Sequence, residues 1–165
     1  RLEREGIALP GSRFTYAIGK LVLWSAKPDF IDDRGEVLRG NSFKHLALAA
    51  PKLAPYGAAA VEALERLGLL AGLRAKFVQG ENIAQAFQFV ATGNADLGLV
   101  ALSQVLENGK LKAGSGWILP QALYTPIRQD AVMLARAKDN PAARALIRFL
   151  IDEKTRAIVR SHGYD

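Results

Sequence analysis

Short apolar runs and amphipathic segments alternate through the middle of the chain. Residues 46–50 form an apolar run that Pro51 closes, which predicts a buried strand. Residues 55–70 carry apolar side chains at helical spacing, which predicts a helix that Gly72 stops. The same pattern then predicts a strand at 76–79, a helix at 83–90 ended by Gly93-Asn94, and a strand at 96–101. Strands that alternate with helices in this way predict a parallel sheet with covering helices.

Further elements are predicted on both sides of this central segment. Residues 13–25 are rich in β-branched and aromatic side chains and predict one long strand, or two strands broken near Gly19. Asn140 followed by Pro141 is a strong helix-start signal. The remaining predictions are the end of a helix at 1–6 stopped by Gly6, a loop at 29–45 with room for a short helix, a short helix at 103–107 closed by Asn108-Gly109, strands at 116–120 and 129–134, and helices at 141–151 and 153–161, the last ended by Gly163.

Composition narrows the class of protein. Half of the 165 residues are hydrophobic and 23% are charged, which suits a buried core and argues against disorder. The chain has no cysteine, so disulfides and thiolate chemistry are excluded. The formal net charge is +6, but the basic residues are scattered and form no run or stripe. A solvated basic surface is therefore favoured over nucleic-acid binding.

Two strand-to-helix turns are the best candidates for chemistry. They lie at 54–57 and 80–83, and each places the start of a helix at the carboxyl end of a parallel strand, where ligands of open α/β sheets gather. Free N–H groups and the macrodipole make a helix start an anion site. Such turns also occur in every α/β protein, and most of them bind nothing, so topology alone leaves both interpretations open.

Four sequence blocks resemble bacterial periplasmic molybdate-binding proteins, in the order and with the spacing of that family. The blocks are FTYAIGKLVLWS at 14–25, APKLAPYG at 50–57, ENIAQA at 81–86 and DLGLVAL at 96–102. The resemblance implies an α/β fold of the type II periplasmic-binding-protein kind, with a mostly parallel sheet and flanking helices. It also implies binding of molybdate or tungstate in the periplasm and delivery to the permease of an ABC importer, with no cofactor besides this ligand.

The resemblance also implies which groups hold the anion. In the family, main-chain N–H groups at helix starts bind the oxyanion, and by motif match they fall at Tyr56 and Ile83, with Gly57 and Asn82 beside them. Some relatives add a tyrosine hydroxyl at the position of Ala101. That hydroxyl is missing in this chain, or Tyr56 supplies a substitute.

One complete lobe and part of a second are expected from the same resemblance. Residues 26–120 correspond to the second α/β lobe, and residues 1–25 and 121–165 to a remnant of the first lobe with the hinge strands. The Ser/Thr-rich turns with which the family's first lobe begins have no counterpart, so we expect the N-terminal part to be missing and the chain to hold half a binding site.

Other functions find less support in the residues. His45 and His162 are far apart, and Ser103 and Ser115 lack the context of a nucleophile, so neither an enzyme nor a metal-cation site is predicted. Donor-only turns suit an unprotonated dianion better than phosphate, because phosphate keeps a proton and needs an acceptor. Glu81, the acidic residue within these turns, is expected to cap the helix or to compensate its dipole. The alternatives left open are the ligand-sensing domain of a transcription regulator, although no helix-turn-helix is visible, and a truncated product without function.

Overall fold

The computed structural model describes residues 1–107 and 109–165. The strands, in chain order, are β1 (Phe14–Gly19), β2 (Leu21–Ser25), β3 (Leu46–Ala49), β4 (Phe77–Gly80), β5 (Leu97–Ala101), β6 (Leu106–Glu107), β7 (Lys110–Leu111), β8 (Ser115–Ile118) and β9 (Ile127–Ala131). The helices are α1 (Pro55–Arg66), α2 (Leu70–Leu73), α3 (Ile83–Ala91), α4 (Leu102–Val105), α5 (Pro141–Ile151) and α6 (Glu153–Ser161). Short 3-10 turns lie at Glu36–Arg39, Arg74–Lys76, Gln121–Leu123 and Ala135–Ala137.

A five-stranded sheet organises the middle of the chain. Its order is β4-β3-β5-β2-β8. Strand β3 pairs in parallel with β4 and with β5, whereas β2 runs antiparallel to both β5 and β8. Four of the five strands therefore point the same way, which confirms the predicted mostly parallel sheet. The carboxyl ends of these four strands lie along one edge of the sheet. The turns at 54–57 and 80–83 lie at this edge.

Side chains alternate between the two faces of this sheet, and helices cover both faces. Leu46 and Leu48 of β3 pack into the core on the α1 side, whereas Ala47 between them packs with Val90 of α3. All of these side chains are almost completely buried. Because a strand reverses its side-chain direction at every residue, a continuous apolar run supplies both cores at once.

Helix α1 ends earlier than the sequence predicts. It stops at Arg66, and Gly68 adopts a left-handed conformation with φ 71° just after it. The Leu69 N–H donates to the Leu64 carbonyl at 2.9 Å and the Gly68 N–H to the Glu65 carbonyl at 2.9 Å, which is the hydrogen-bond pattern of a glycine-ended helix. The predicted stop at Gly72 is wrong, since Gly72 lies inside α2.

The predicted strand at 13–25 is broken at Lys20 into β1 and β2, which belong to different sheets. Strand β1 pairs antiparallel with β9. Asp165 also pairs with β1, since the backbones of Ile18 and Asp165 exchange hydrogen bonds of 2.7 and 2.9 Å. These pairings connect distant parts of the chain. The division into lobes stays a prediction.

Several other boundaries differ from the predictions. Residues 1–6, predicted as the end of a helix, form hydrogen-bonded turns that end at a left-handed Gly6. The short helix predicted at 103–107 ends at Val105, because Leu106 and Glu107 pair as β6 with β7; its predicted closing residue Asn108 lies outside the described residues. The strand predicted at 129–134 begins and ends earlier, as β9. Helices α5 and α6 have the predicted bounds, and the Asn140 side chain caps α5.

The two glycines near the end of α1 offer a test of where the helix stops. We expect Gly68→Ala to lower the free energy of unfolding by about 1 kcal/mol, because a Cβ is strained at a left-handed φ. Gly72→Ala should instead raise it by about 0.5–1 kcal/mol, because Gly72 is helical and nothing crowds its Cβ position. Urea unfolding of both variants measures the difference, and equal effects would contradict the helix end described above.

Candidate anion-binding site

Two helices start at the same edge of the sheet. Helix α1 follows β3 and helix α3 follows β4, and these strands are parallel neighbours in register, with Ala49 beside Gly80. Immediately beyond them, the Ala50 N–H donates to the Gly80 carbonyl at 2.7 Å, so the segments that lead from the two strands into the turns are hydrogen-bonded to each other. The structure therefore brings together the two turns that the sequence singled out.

The start of α3 is capped by side chains. Asn82 has an extended backbone, and its Oδ1 accepts the Gln85 N–H at 3.0 Å. Gln85 in turn accepts the Glu81 N–H through Oε1 at 2.6 Å. Within the described residues, the N–H groups of Ile83 and Ala84 donate to no protein acceptor. Within the first turn of the helix, these two donors are left for a ligand, as at any helix start.

The start of α1 has no side-chain cap. Pro55 occupies the first turn and has no N–H, while the N–H groups of Gly57 and Ala58 both donate to the Ala54 carbonyl, at 3.0 and 3.1 Å. In the described part of the chain, the Tyr56 N–H has no protein acceptor. The predicted donor at Tyr56 is therefore available, whereas the Gly57 N–H is already engaged within its own turn.

Gly57 is needed for packing. A Cβ at this position would overlap the carbonyl oxygen of Ala49, at the end of β3. The absence of a side chain lets α1 begin directly against the strand from which it follows. The structure thus explains why glycine stands here, and direct contact of Gly57 with a ligand stays a prediction.

The Tyr56 side chain lies against the junction of β1 and β2. It is 8% exposed, and its hydroxyl lies so close to Gly19 that a Cβ there would overlap it. Burial raises the pKa of Tyr56, and the neighbouring phenols of Tyr164 and Tyr124 raise it further. Tyr56 therefore stays neutral at any physiological pH and keeps its hydroxyl proton.

The end of β5 completes this edge. Ala101 is buried there and presents only a methyl group, so the hydroxyl that some relatives carry is absent at this position. Gln104, three residues further on, was not singled out by the sequence. Its side chain contacts both Ala101 and the first turn of α3. The available signal was its place as the third residue of a short helix after a strand, where Gln often bonds back to the chain.

Residues considered for catalysis have structural contacts. The Ser115 hydroxyl donates to the Lys27 carbonyl at 2.7 Å and accepts the Phe30 and Ile31 N–H groups at 3.1 and 3.0 Å, so it holds a loop. The Nδ1 atom of His162 lies 2.9 Å from the carbonyl oxygen of Ile158. Among the described residues, no group of three or more His, Asp or Glu side chains is placed to hold a metal ion.

The whole chain, residues 1–165, matches the family model of bacterial extracellular solute-binding proteins. The chain belongs to this family. Over 164 residues it is 60% identical to the molybdate-binding protein ModA of Azotobacter vinelandii, covering 99% of this chain and 65% of that protein. It is 52% identical over 160 residues to ModA of Rhodobacter capsulatus, covering 97% and 62%. The chain therefore spans a little under two thirds of the length of these curated relatives.

A solved structure shows the same fold. The periplasmic molybdate-binding protein of Azotobacter vinelandii superposes with a TM-score of 0.91 at 44% sequence identity, covering 99% of this chain and 72% of that one. These similarities confirm the resemblance and the type II fold class predicted from the sequence. They do not test the assignment of individual ligand-binding residues, which stays a prediction.

Gly57 provides a test of the packing at this edge. We expect Gly57→Ala to lower the free energy of unfolding by about 2 kcal/mol, because its methyl group meets backbone that must shift. The neighbouring Ala58 is exposed, so Ala58→Ser should change it by less than about 0.5 kcal/mol. Thermal unfolding of the two variants provides the comparison. A Gly57→Ala variant as stable as the wild type would show that the start of α1 is not held against β3.

Proposed function

We propose that the complete protein captures molybdate or tungstate in the periplasm and delivers it to the permease of an ABC importer. The observation that carries the proposal is the pair of helix starts at one sheet edge, with the N–H groups of Tyr56, Ile83 and Ala84 free of protein acceptors within the described residues. The names of the two curated relatives and the solved structure, all of them molybdate-binding proteins, support the choice of anion.

The chemistry of these donors favours an anion that carries no proton. Backbone N–H groups can only donate, and each helix start adds a favourable macrodipole interaction of about 0.3–1 kcal/mol with a negative charge. Molybdate and tungstate are fully deprotonated at neutral pH and accept hydrogen bonds at every oxygen. Phosphate keeps a proton near neutral pH and would need an acceptor that these donors do not provide.

The described donors are too few to enclose a tetrahedral dianion. Three N–H groups leave several oxygen lone pairs without a partner, and each charge-assisted hydrogen bond contributes about 1.5–3 kcal/mol. Since the chain spans 65% and 62% of the curated relatives' length, we infer that the remaining donors belong to the part of the protein that these residues do not include. Closure of a second lobe over the anion would then complete the site.

A binding role fits the family better than the alternatives. The relatives are named as binding proteins, which favours a non-enzymatic role. The same similarity favours a transport protein over the ligand-sensing domain of a transcription regulator. None of the helices within the described residues is long and apolar enough to cross a membrane. The names of the relatives support the permease of an ABC importer as the proposed partner, and nucleic acid is not a proposed partner.

Calorimetric titration tests the choice of ligand. We expect the complete protein to bind molybdate and tungstate at least about a hundredfold more tightly than phosphate, a difference of about 2.7 kcal/mol. The affinity for molybdate should stay constant between pH 6 and 8, because backbone N–H groups do not titrate there. Residues 1–165 alone should bind orders of magnitude more weakly than the complete protein. Tight binding by these residues alone would contradict the half-site.

Two asparagine N-caps make it possible to distinguish an effect on helix stability from an effect on anion binding. Asn82 caps α3 at the proposed site, and Asn140 caps α5 elsewhere in the chain. Replacing either with Ala should lower the free energy of unfolding by about 1 kcal/mol, because an N-cap hydrogen bond is lost. Only Asn82→Ala should also weaken molybdate binding in titration, since it frees the first turn of α3. Equal affinities in the two variants would show that the start of α3 does not contact the anion.

A further inference from the structure

A side chain from another turn holds the start of α3. Gln104 lies on α4, just past the end of β5, and its side chain is half-buried. Its Nε2 donates to the Ile83 carbonyl at 3.3 Å, and its Oε1 accepts the Ala101 N–H at 3.1 Å. A backbone carbonyl can only accept and a backbone N–H can only donate. The two partners therefore fix which way the amide group points.

The contact spans the centre of the proposed site. Helix α3 follows β4, which is the outermost strand of the five, and β5 lies two positions further into the sheet. Strand β3, from which α1 follows, lies between them. Gln104 thus connects the turns that follow the two neighbours of β3, on either side of the strand end that leads to Tyr56.

Ala101, at one end of this contact, is fixed within the central sheet. Ala101 is 3% exposed and pairs with Leu21 of β2, and the next N–H, that of Leu102, donates to the Lys20 carbonyl at 2.9 Å. Ile83, by contrast, is the first residue of its helix, whose start is otherwise held by the local caps of Asn82 and Gln85. The hydrogen bond from Gln104 therefore adds a restraint that ties the start of α3 to the central sheet.

We infer that Gln104 is a positioning residue for anion binding, which orients the N–H groups of Ile83 and Ala84 toward the same anion as the start of α1. The inference rests on the proposed function. Glutamine suits the position because its amide offers a donor and an acceptor at the end of one flexible chain. Glutamate at 104 would keep the acceptor for Ala101 and lose the donor for Ile83, and methionine would lose both.

The test combines amide hydrogen exchange with titration on the complete protein. Gln104→Met keeps the length and volume of the side chain without its hydrogen bonds. We expect exchange in the anion-free protein to become about tenfold faster at Ala101 and at the hydrogen-bonded amides of α3's first turn, Gln85–Phe87. Molybdate affinity should fall about tenfold, the equivalent of losing one or two neutral hydrogen bonds.

Two further variants complete the design. Gln88→Met on the exposed face of α3 is the matched control, and neither its exchange nor its affinity should change. Gln104→Glu should leave Ala101 as protected as in the wild type while the first turn of α3 exchanges faster, which separates the two contacts. This variant also serves for the exchange measurement if Gln104→Met does not fold.

The outcomes distinguish the inference from the proposed function. A fall in molybdate affinity with unchanged exchange in Gln104→Met would mean that Gln104 contacts the anion itself, and the positioning role would be wrong. Unchanged exchange and unchanged affinity would also overturn it. A wild-type protein that binds neither molybdate nor tungstate would overturn the proposed function. The exchange data would still show whether Gln104 holds the start of α3.

Discussion

The first N–H groups of an α-helix have no acceptor within the helix, and this constraint shapes the edge of the sheet where α1 and α3 begin. At α3, the Asn82 side chain accepts one of these groups, the N–H of Gln85, and the N–H groups of Ile83 and Ala84 remain. At α1, Pro55 has no N–H, and the N–H of Tyr56 has no protein acceptor within the described residues. Parallel pairing of β3 with β4 then places both sets of donors at one edge. An anion that accepts from both satisfies what the helices cannot satisfy themselves.

Close approach of backbone to backbone makes this edge possible. Gly57 lets α1 begin against the end of β3, and Gly80 lets the first turn of α3 fold back over β4, where a Cβ would lie 2.8 Å from the Ala86 nitrogen. Gly98 in β5 faces Val90 of α3, and a Cβ on Gly98 would lie 2.7 Å from the Cγ2 atom of Val90. Small residues at these points bring the helices close enough to the sheet for their first turns to reach the strand ends.

The helices near the C-terminus are covered less well than those of the central sheet. Leu146, Phe149, Ile151 and Ile158 on α5 and α6 are between 46% and 58% exposed. Large apolar side chains at this exposure are typical of a surface that another part of a protein covers. Since the curated relatives are longer than this chain, the arrangement agrees with the expected remnant of a first lobe, which remains a prediction.

The sequence by itself determined the features that depend on neighbouring residues. The order of the main strands and helices and the Asn140 cap follow from local preferences, and four blocks of sequence sufficed to indicate the family. The sequence left open whether residues 13–25 form one strand or two, and it did not predict β6 and β7. The end of α1 also depends on local signals, but the sequence prediction placed the stop at Gly72 and passed over Gly68, four residues earlier. Only the structure distinguished them, because the hydrogen bonds of Leu69 and Gly68 close the helix at the first of the two.

The tertiary structure alone decided which groups meet at the candidate site. The bond between Ala50 and Gly80, the packing of Tyr56 on Gly19, and the bridge from Gln104 to Ile83 join residues that are 21 to 37 positions apart. No local pattern encodes such contacts, since each depends on the register in which separate strands pair. Local preferences therefore predict that a helix begins, whereas strand pairing decides what its free N–H groups face.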